Sequence, residues 1–167
     1  MNLRYFITIQ GSPVYADIGP YIAICVNDAK AKVNSIHRGP EAAKILNKHG
    51  KHTQEQLYRG WIDRRPGFAP ANQPGYSTHE LRSDGTAYPQ VKPAALLPWW
   101  AQGFDVNDSD VRNVIEQAAK HGWHLWQPYP GGSEFHHLNF KVQPKRPRLG
   151  SPLWLRMCRI RATYPRS

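Results

Sequence analysis

The pattern that most constrains the fold of this chain is an amphipathic stripe near its C-terminal third. Apolar residues recur there at the i, i+3, i+4, i+7 and i+8 spacing of one helical face, namely Val111, Val114, Ile115, Ala118 and Ala119. Asn107-Asp108 precedes the stripe as a candidate N-terminal cap, and His121-Gly122 follows it as a typical helix end. The sequence therefore predicts a helix that packs one face against a core.

Two strand-like segments follow this helix. They are Trp123 to Gln127 and Phe135 to Val142, and the turn-forming sequence Pro128 to Gly132 separates them. We expect them to pair as antiparallel strands, and we expect Trp99, Trp100, Trp123 and Trp126 to belong to the core. A chain of 167 residues fits one domain with a core of ordinary size. The predicted fold class is α+β, with a small antiparallel sheet flanked by helices.

Shorter elements are predicted along the rest of the chain. Thr53 and Gln56 have the spacing of a capping box at the start of a helix. Residues 64–98 are rich in Pro and Gly and resist assignment. The remaining predictions are strands over Tyr5 to Gln10, Lys32 to Ile36 and Gly103 to Val106, and helices over Pro20 to Lys30 and from Pro40 to His49.

The net charge of +10 is concentrated at the C-terminal end. Residues 141–167 contain eight Lys or Arg and no Asp or Glu, whereas the first 140 residues contain 14 basic and 12 acidic residues. We therefore divide the chain into a domain over 1–143 and a basic linker or tail over 144–167. A basic tail favours a polyanion, which includes nucleic acid, an anionic cell-wall polymer and a membrane surface.

A carboxylate, Glu134, lies three residues before a histidine, His137, at the start of an apolar alternating segment. A zinc hydrolase needs a neutral imidazole to hold the metal and a nearby carboxylate to accept a proton from water. Alternation along a strand directs Leu138 and Phe140 to the core and leaves His137 on the opposite, accessible face. This favours His137 over His136 as the metal ligand.

Two more candidate ligands lie upstream, in Ser77-Thr78-His79 and in Gly103-Phe104-Asp105. Taken singly, His79 fits a solvated loop residue and Asp105 fits a helix cap. Together with His137 they would supply the nitrogen and oxygen ligands from distant segments that a catalytic zinc site requires. The working hypothesis is a hydrolase with one Zn²⁺ held by His79, Asp105 and His137, and with Glu134 as the general base.

Three segments resemble the zinc D,D-peptidases, which include D-alanyl-D-alanine carboxypeptidases, vancomycin-resistance dipeptidases and phage L-alanyl-D-glutamate endolysins. Ser77-Thr78-His79 is similar to that family's Ser-x-His motif, Glu134 to His137 to its Glu-x-x-His motif, and Ser35 to Arg38 to its Ser-x-x-Arg motif. The resemblance covers roughly Val33 to Phe140. The endolysin branch is further resembled by Leu57 to Trp61, Arg65 to Phe68 and Pro74 to Tyr76.

The resemblance implies a fold of the Hedgehog and D-Ala-D-Ala-peptidase type with the zinc site on the sheet. It also implies that Arg38 binds substrate and stabilises the oxyanion. The family's metal aspartate usually follows the Ser-x-His histidine by seven residues. Here Asp84 is too close and lies in a turn-like sequence, so we assign Asp105 as the ligand, with residues 86–102 as an insertion and Asp84 as the reserve.

The implied substrate is a peptidoglycan stem peptide, cut at a D,D-carboxypeptidase bond or at an L-Ala-D-Glu bond. The sequence has no signal-peptide pattern and no apolar run of about 18 residues. We therefore expect a monomer that stays in the cytoplasm until it is released to the cell wall, without membrane insertion. The basic tail would help it hold an anionic cell-wall polymer.

Two other classes of function remain as alternatives. A metal-dependent nuclease or nucleic-acid-binding protein would use the basic tail, although the nearly neutral body carries no nucleic-acid motif and we expect no nucleic-acid partner. A catalytically inactive cell-wall-binding module would keep the fold and the metal without peptidase activity.

Overall fold

The computed structural model of the protein describes residues 5–80, 99–128, 130–131 and 134–163. The strands are β1 (Phe6–Ile9), β2 (Ser12–Tyr15), β3 (Val33–Ser35), β4 (Phe104–Val106), β5 (Leu125–Trp126) and β6 (His137–Phe140). The α-helices are α1 (Gly19–Asp28), α2 (Ala43–Lys48), α3 (Gln54–Ile62), α4 (Val111–Lys120) and α5 (Pro152–Thr163). The predicted α+β class with small antiparallel sheets is confirmed.

A four-stranded antiparallel sheet in the order β3-β4-β6-β5 carries the centre of the fold. Phe104 of β4 lies opposite Leu138 of β6, and Asp105 lies opposite His137. Because side chains alternate along a strand, the two apolar residues share the core face and the two polar residues share the other face. The predicted antiparallel pairing of the last two strands, β5 and β6, is confirmed.

The core lies between this sheet, the separate β1–β2 hairpin and three helices. In α1 every residue from Gly19 to Val26 is buried, which agrees with a helix that is apolar on most of its circumference. It packs against α4 on one side and α5 on another. None of the helices within the described residues is both long and apolar enough to cross a membrane.

The predicted stripe of α4 faces the core through Val111, Val114 and Ala118, whereas Ala119 is exposed. The predicted cap at Asn107-Asp108 is wrong. A short 3₁₀ turn at Asp108–Asp110 precedes the helix, and the Asn107 side chain makes no capping hydrogen bond. The stripe therefore fixed the face of the helix correctly, but its first turn follows tertiary contacts.

The capping box of α3 is present as predicted. Thr53 Oγ1 accepts a hydrogen bond from Gln56 N at 3.2 Å, and Gln56 Oε1 accepts one from Thr53 N at 2.8 Å. These two bonds satisfy free N–H groups at the helix start. They fix the position of α3, which forms one wall of the cleft described below.

The C-terminal segment, predicted to be a basic linker or tail, contributes to the core over its described part. Met157 of α5 is buried in the main apolar cluster. Arg156 pairs with Asp28 of α1 at 2.5 Å, and Trp123 Nε1 donates a hydrogen bond to the carbonyl oxygen of Lys145 at 3.0 Å. The chain from 145 to 163 is therefore anchored to the rest of the fold at several points.

Candidate metal centre

His79, Asp105 and His137 come together although they are far apart in sequence. His79 Nε2 lies 3.1 Å from Asp105 Oδ1 and 3.0 Å from His137 Nδ1, and His137 Nδ1 lies 2.9 Å from Asp105 Oδ1. All three residues are buried. The three atoms form a small triangle, and a cation about 2.0–2.2 Å from each of them would sit just above its plane.

The fold explains why these side chains meet. Asp105 and His137 are direct neighbours across β4 and β6, so their side chains point to the same side of the sheet. His79 lies in a 3₁₀ turn, Thr78–Glu80. The backbone N–H of Arg38 donates to the carbonyl oxygen of His79 at 2.7 Å, which attaches this turn to the end of β3.

The tautomer of His79 follows from its second nitrogen. Nδ1 lies 2.5 Å from the carbonyl oxygen of Ile36, and a carbonyl oxygen can only accept, so Nδ1 carries the proton. Nε2 then presents its lone pair to the triangle. Burial, together with the neighbouring Arg38 charge, lowers the pKa of His79 to about 4, so its imidazole is neutral near pH 7.

The second nitrogen of His137 also has a partner. Nε2 lies 3.1 Å from Thr78 Oγ1, and a hydroxyl oxygen can accept a proton from an imidazole N–H. That arrangement leaves Nδ1 as the free lone pair toward the triangle. Hydrogen-bonded partners of this kind are common on the outer side of metal-binding histidines.

Asp105 is ionised in this setting. Burial opposes ionisation, but His79 and His137, which hydrogen-bond the carboxylate, and the Arg38 charge hold the pKa of Asp105 well below its usual range. Its second oxygen, Oδ2, accepts from Arg38 Nη2 at 2.5 Å and from Ser35 Oγ at 3.1 Å. The carboxylate is therefore fixed with Oδ1 turned to the two imidazoles.

The chemistry of this donor set fits a metal ion. Two imidazole lone pairs and one carboxylate oxygen lie within 3.1 Å of one another, an arrangement that is repulsive without a cation. The group can hold a metal ion on geometric grounds. Two nitrogens and one oxygen suit zinc, and the same donor set serves non-haem iron.

Glu134 and Arg38 line the same cleft as the three candidate ligands. The cleft has a volume of about 1220 Å³, and Glu134 is half-buried on its wall. Its carbonyl oxygen accepts from the backbone N–H of His137 at 3.0 Å, which places the start of β6 beside it. All five residues predicted for the site therefore face one cavity.

The structure corrects one detail of the argument that selected His137. The prediction placed its side chain on an accessible face, but only 6% of the residue is exposed. The reason is that the non-core face of β6 is covered: Thr78 contacts His137, and Asn139 donates to the carbonyl oxygen of Ala101 at 2.9 Å. His136 points to the other side and lies 3.4 Å from Asp108.

Three of the four tryptophans expected in the core have described side chains. Trp123 is buried as predicted. Trp126 is 47% exposed and lines the cleft, so its prediction is wrong, and Trp100 is half-buried on the same wall. A two-residue strand at the sheet edge leaves one side of β5 open. The Trp99 side chain and Asp84, the reserve ligand, lie outside the described residues.

Sequence analysis missed several residues that support the site. Gln102 is buried, and its amide donates to the carbonyl oxygens of Thr78 at 3.1 Å and Gly103 at 3.2 Å. Glu80 is also buried, which raises its pKa to about 7, and its carboxylate accepts from Gly75 N at 2.7 Å. Both residues adjoin predicted ligands in the chain, but nothing in the local sequence distinguishes them from surface residues.

Comparison with known proteins adds no relative. No family model, no curated protein and no solved structure matches this chain. The functional argument therefore rests on the geometry and chemistry of the site.

Proposed function

We propose that this protein is a single-zinc peptidase of peptidoglycan, acting on an amide bond in the stem peptide. The observation that carries the proposal is the triangle of His79 Nε2, Asp105 Oδ1 and His137 Nδ1 in a cleft whose wall also holds Glu134 and Arg38. A hydrolase needs a cation, a base and a cationic group in one cavity, and these residues supply the ligands, the base and the cation.

The chain's own residues have separate tasks in this proposal. A bound zinc ion would polarise the scissile carbonyl group and activate water. Glu134 accepts the proton from water and delivers it to the leaving amine, because a half-buried carboxylate on the cleft wall can exchange protons with both. Arg38, with its guanidinium held by Asp105, carries positive charge near the developing oxyanion.

The buried position of the ligands supports hydrolysis rather than simple metal storage. Neutral His79 and ionised Asp105 need no proton loss at neutral pH before they bind a cation. The cleft is larger than most small-molecule sites, which are about 300–1000 Å³, and this suits an extended polymer segment. The choice of stem peptide as the substrate comes from the family resemblance of the motifs.

Digestion of purified peptidoglycan tests the proposal. The zinc-loaded protein should release fragments whose masses identify one cleaved amide bond in the stem peptide, and a chelator should stop their release. A metal content dominated by iron, or intact stem peptides after long incubation, would contradict it. Cleavage of plasmid DNA with untouched peptidoglycan would favour the nuclease alternative.

A further inference from the structure

A second, smaller pocket adjoins the metal centre on the far side of Arg38. Its volume is about 300 Å³, and its lining includes Asn34, Arg38, Lys51, His52 and His136. We call it the side pocket. Arg38, His52 and His136 also line the main cleft, so the two spaces are continuous.

The side pocket has an excess of positive charge. Lys51 Nζ donates to two neutral oxygens, Ser12 Oγ at 2.6 Å and Asn34 O at 2.8 Å. An ammonium group has three N–H donors, so one is left to point elsewhere. Burial and the charges of Arg38 and Lys32 lower the pKa of Lys51, which is the response of a cation held near other cations.

Arg38 also keeps donor capacity for a ligand. Its Nη2 binds Asp105 at 2.5 Å and its Nη1 binds Gln54 Oε1 at 3.3 Å, whereas a guanidinium offers five N–H groups. Asp105 is the acidic residue among those lining the side pocket. Both of its oxygens are already engaged, one by Arg38 and Ser35 and the other by the two imidazoles.

We propose that the side pocket binds a carboxylate of the substrate through Lys51 and Arg38. Two cations with free donors and no uncommitted acid among the described lining residues suit one anionic group. Arg38 contacts Asp105 directly, so a carboxylate here would lie about one residue from the candidate metal ligands. This inference rests on the proposed peptidase function and adds that the scissile amide lies close to a free carboxylate.

The test compares ligands that differ only in this charge. N-acetyl-D-alanyl-D-alanine and its C-terminal carboxamide are titrated by calorimetry or NMR into zinc-loaded Glu134→Gln protein, in which turnover is suppressed. The carboxylate ligand should bind at least about tenfold more tightly than the amide. Equal affinities would overturn the proposal.

Lys51 variants identify the residue that is responsible. Lys51→Met keeps the aliphatic stem and should reduce the preference to within about twofold, whereas Lys51→Arg should keep it. Lys48→Met, which removes an exposed lysine from α2, is the matched control and should behave as the parent protein. A preference that survives in folded Lys51→Met protein would contradict the assignment.

Two further arms separate the possible explanations. Inorganic phosphate should compete more weakly than the carboxylate ligand, and tighter phosphate binding would overturn a carboxylate site. Peptidoglycan that stays intact with the parent enzyme would refute the proposed function, yet the charge preference in binding would still stand or fall by itself because it is measured without turnover.

Discussion

Asp105 and His137 face each other across β4 and β6, with Oδ1 and Nδ1 2.9 Å apart. This pairing places a carboxylate and an imidazole on the same side of a sheet whose other side is packed with apolar residues. His79 reaches them from a turn that hydrogen bonds attach to the end of β3. The candidate metal centre is therefore supported by sheet register and not by a flexible loop alone.

Neighbouring histidines in β6 provide a matched pair of variants. His137→Ala removes a candidate ligand, and His136→Ala removes a side chain from the other side of the strand. We expect His137→Ala to lower zinc affinity by more than the roughly 10- to 100-fold loss typical of an outer hydrogen-bond partner. His136→Ala should leave it nearly unchanged. Competition with a chromogenic chelator measures both, and similar losses would contradict the assigned ligand.

Thr78 should control how His137 presents its Nδ1. Thr78→Val is nearly isosteric but cannot accept the Nε2 proton, which lies 3.1 Å from the hydroxyl oxygen in the wild type. Zinc affinity should fall by roughly 10- to 100-fold, and Thr78→Ser should restore most of it. An unchanged affinity in Thr78→Val would show that the hydroxyl does not orient the imidazole.

Gly103 is required by close packing at the site. A Cβ atom there would lie 2.4 Å from Thr78 Oγ1 and 2.5 Å from His137 Cε1. Gly103→Ala should therefore cost about 1–3 kcal/mol of unfolding free energy and weaken zinc binding. Urea denaturation measures the first effect. Gly131→Ala, where a Cβ meets nothing within 4 Å, is the control, and an equal cost at both positions would refute the packing argument.

Glu134→Gln should separate catalysis from metal binding. Loss of a general base typically costs about 10²- to 10⁴-fold in rate, whereas zinc content and thermal stability should stay near those of the parent because Glu134 is not among the three ligands. Glu116→Gln, on the exposed face of α4, is the matched control. Near-normal hydrolysis by Glu134→Gln would remove this residue from the mechanism.

The attachment of α5 should depend on pH through Asp28. The hydrogen bond from Arg156, opposed by burial and supported by His121, lowers the pKa of Asp28. The folded-state pKa thus lies below the unfolded value of about 3.9. The interaction therefore stabilises the fold above about pH 4, and this stabilisation is lost as the pH falls through the folded-state pKa.

Urea denaturation from about pH 6 to about pH 2.5 checks this expectation. Asp28→Asn should be less stable than the parent at pH 6, and the difference should shrink toward low pH. Asp63→Asn, at an exposed position, should show a much smaller difference. A constant difference for Asp28→Asn at every pH would mean that its charge does not contribute.

The candidate ligands could be predicted from the sequence because their side chains have a restricted chemical use. Histidine and aspartate in short motifs point to a metal wherever they lie, so His79, Asp105 and His137 were found without knowledge of their contacts. Their supporting residues could not be found in this way. Gln102 and Thr78 act through bonds to segments 24 to 59 positions away, and local sequence does not encode those distances.

Periodicity predicted elements better than it predicted exposure. The stripe of α4 gave its buried face, but alternation in β6 failed for His137 because a turn from elsewhere covers the second face of the strand. Trp126 failed in the opposite direction, since an edge strand of two residues leaves its ring open to the cleft. Anchoring of α5 depends on the single pair Arg156–Asp28 and on Met157, and its composition alone resembled a tail.

The zinc stoichiometry of the purified protein tests the central claim most directly. Metal-free protein is incubated with Zn²⁺, freed of excess metal by gel filtration and analysed for zinc per chain, in parallel with a variant in which His79, Asp105 and His137 are all alanine. The account predicts close to one equivalent in the parent protein and almost none in the folded triple variant. Zinc retained equally by both proteins, or by neither, would contradict it.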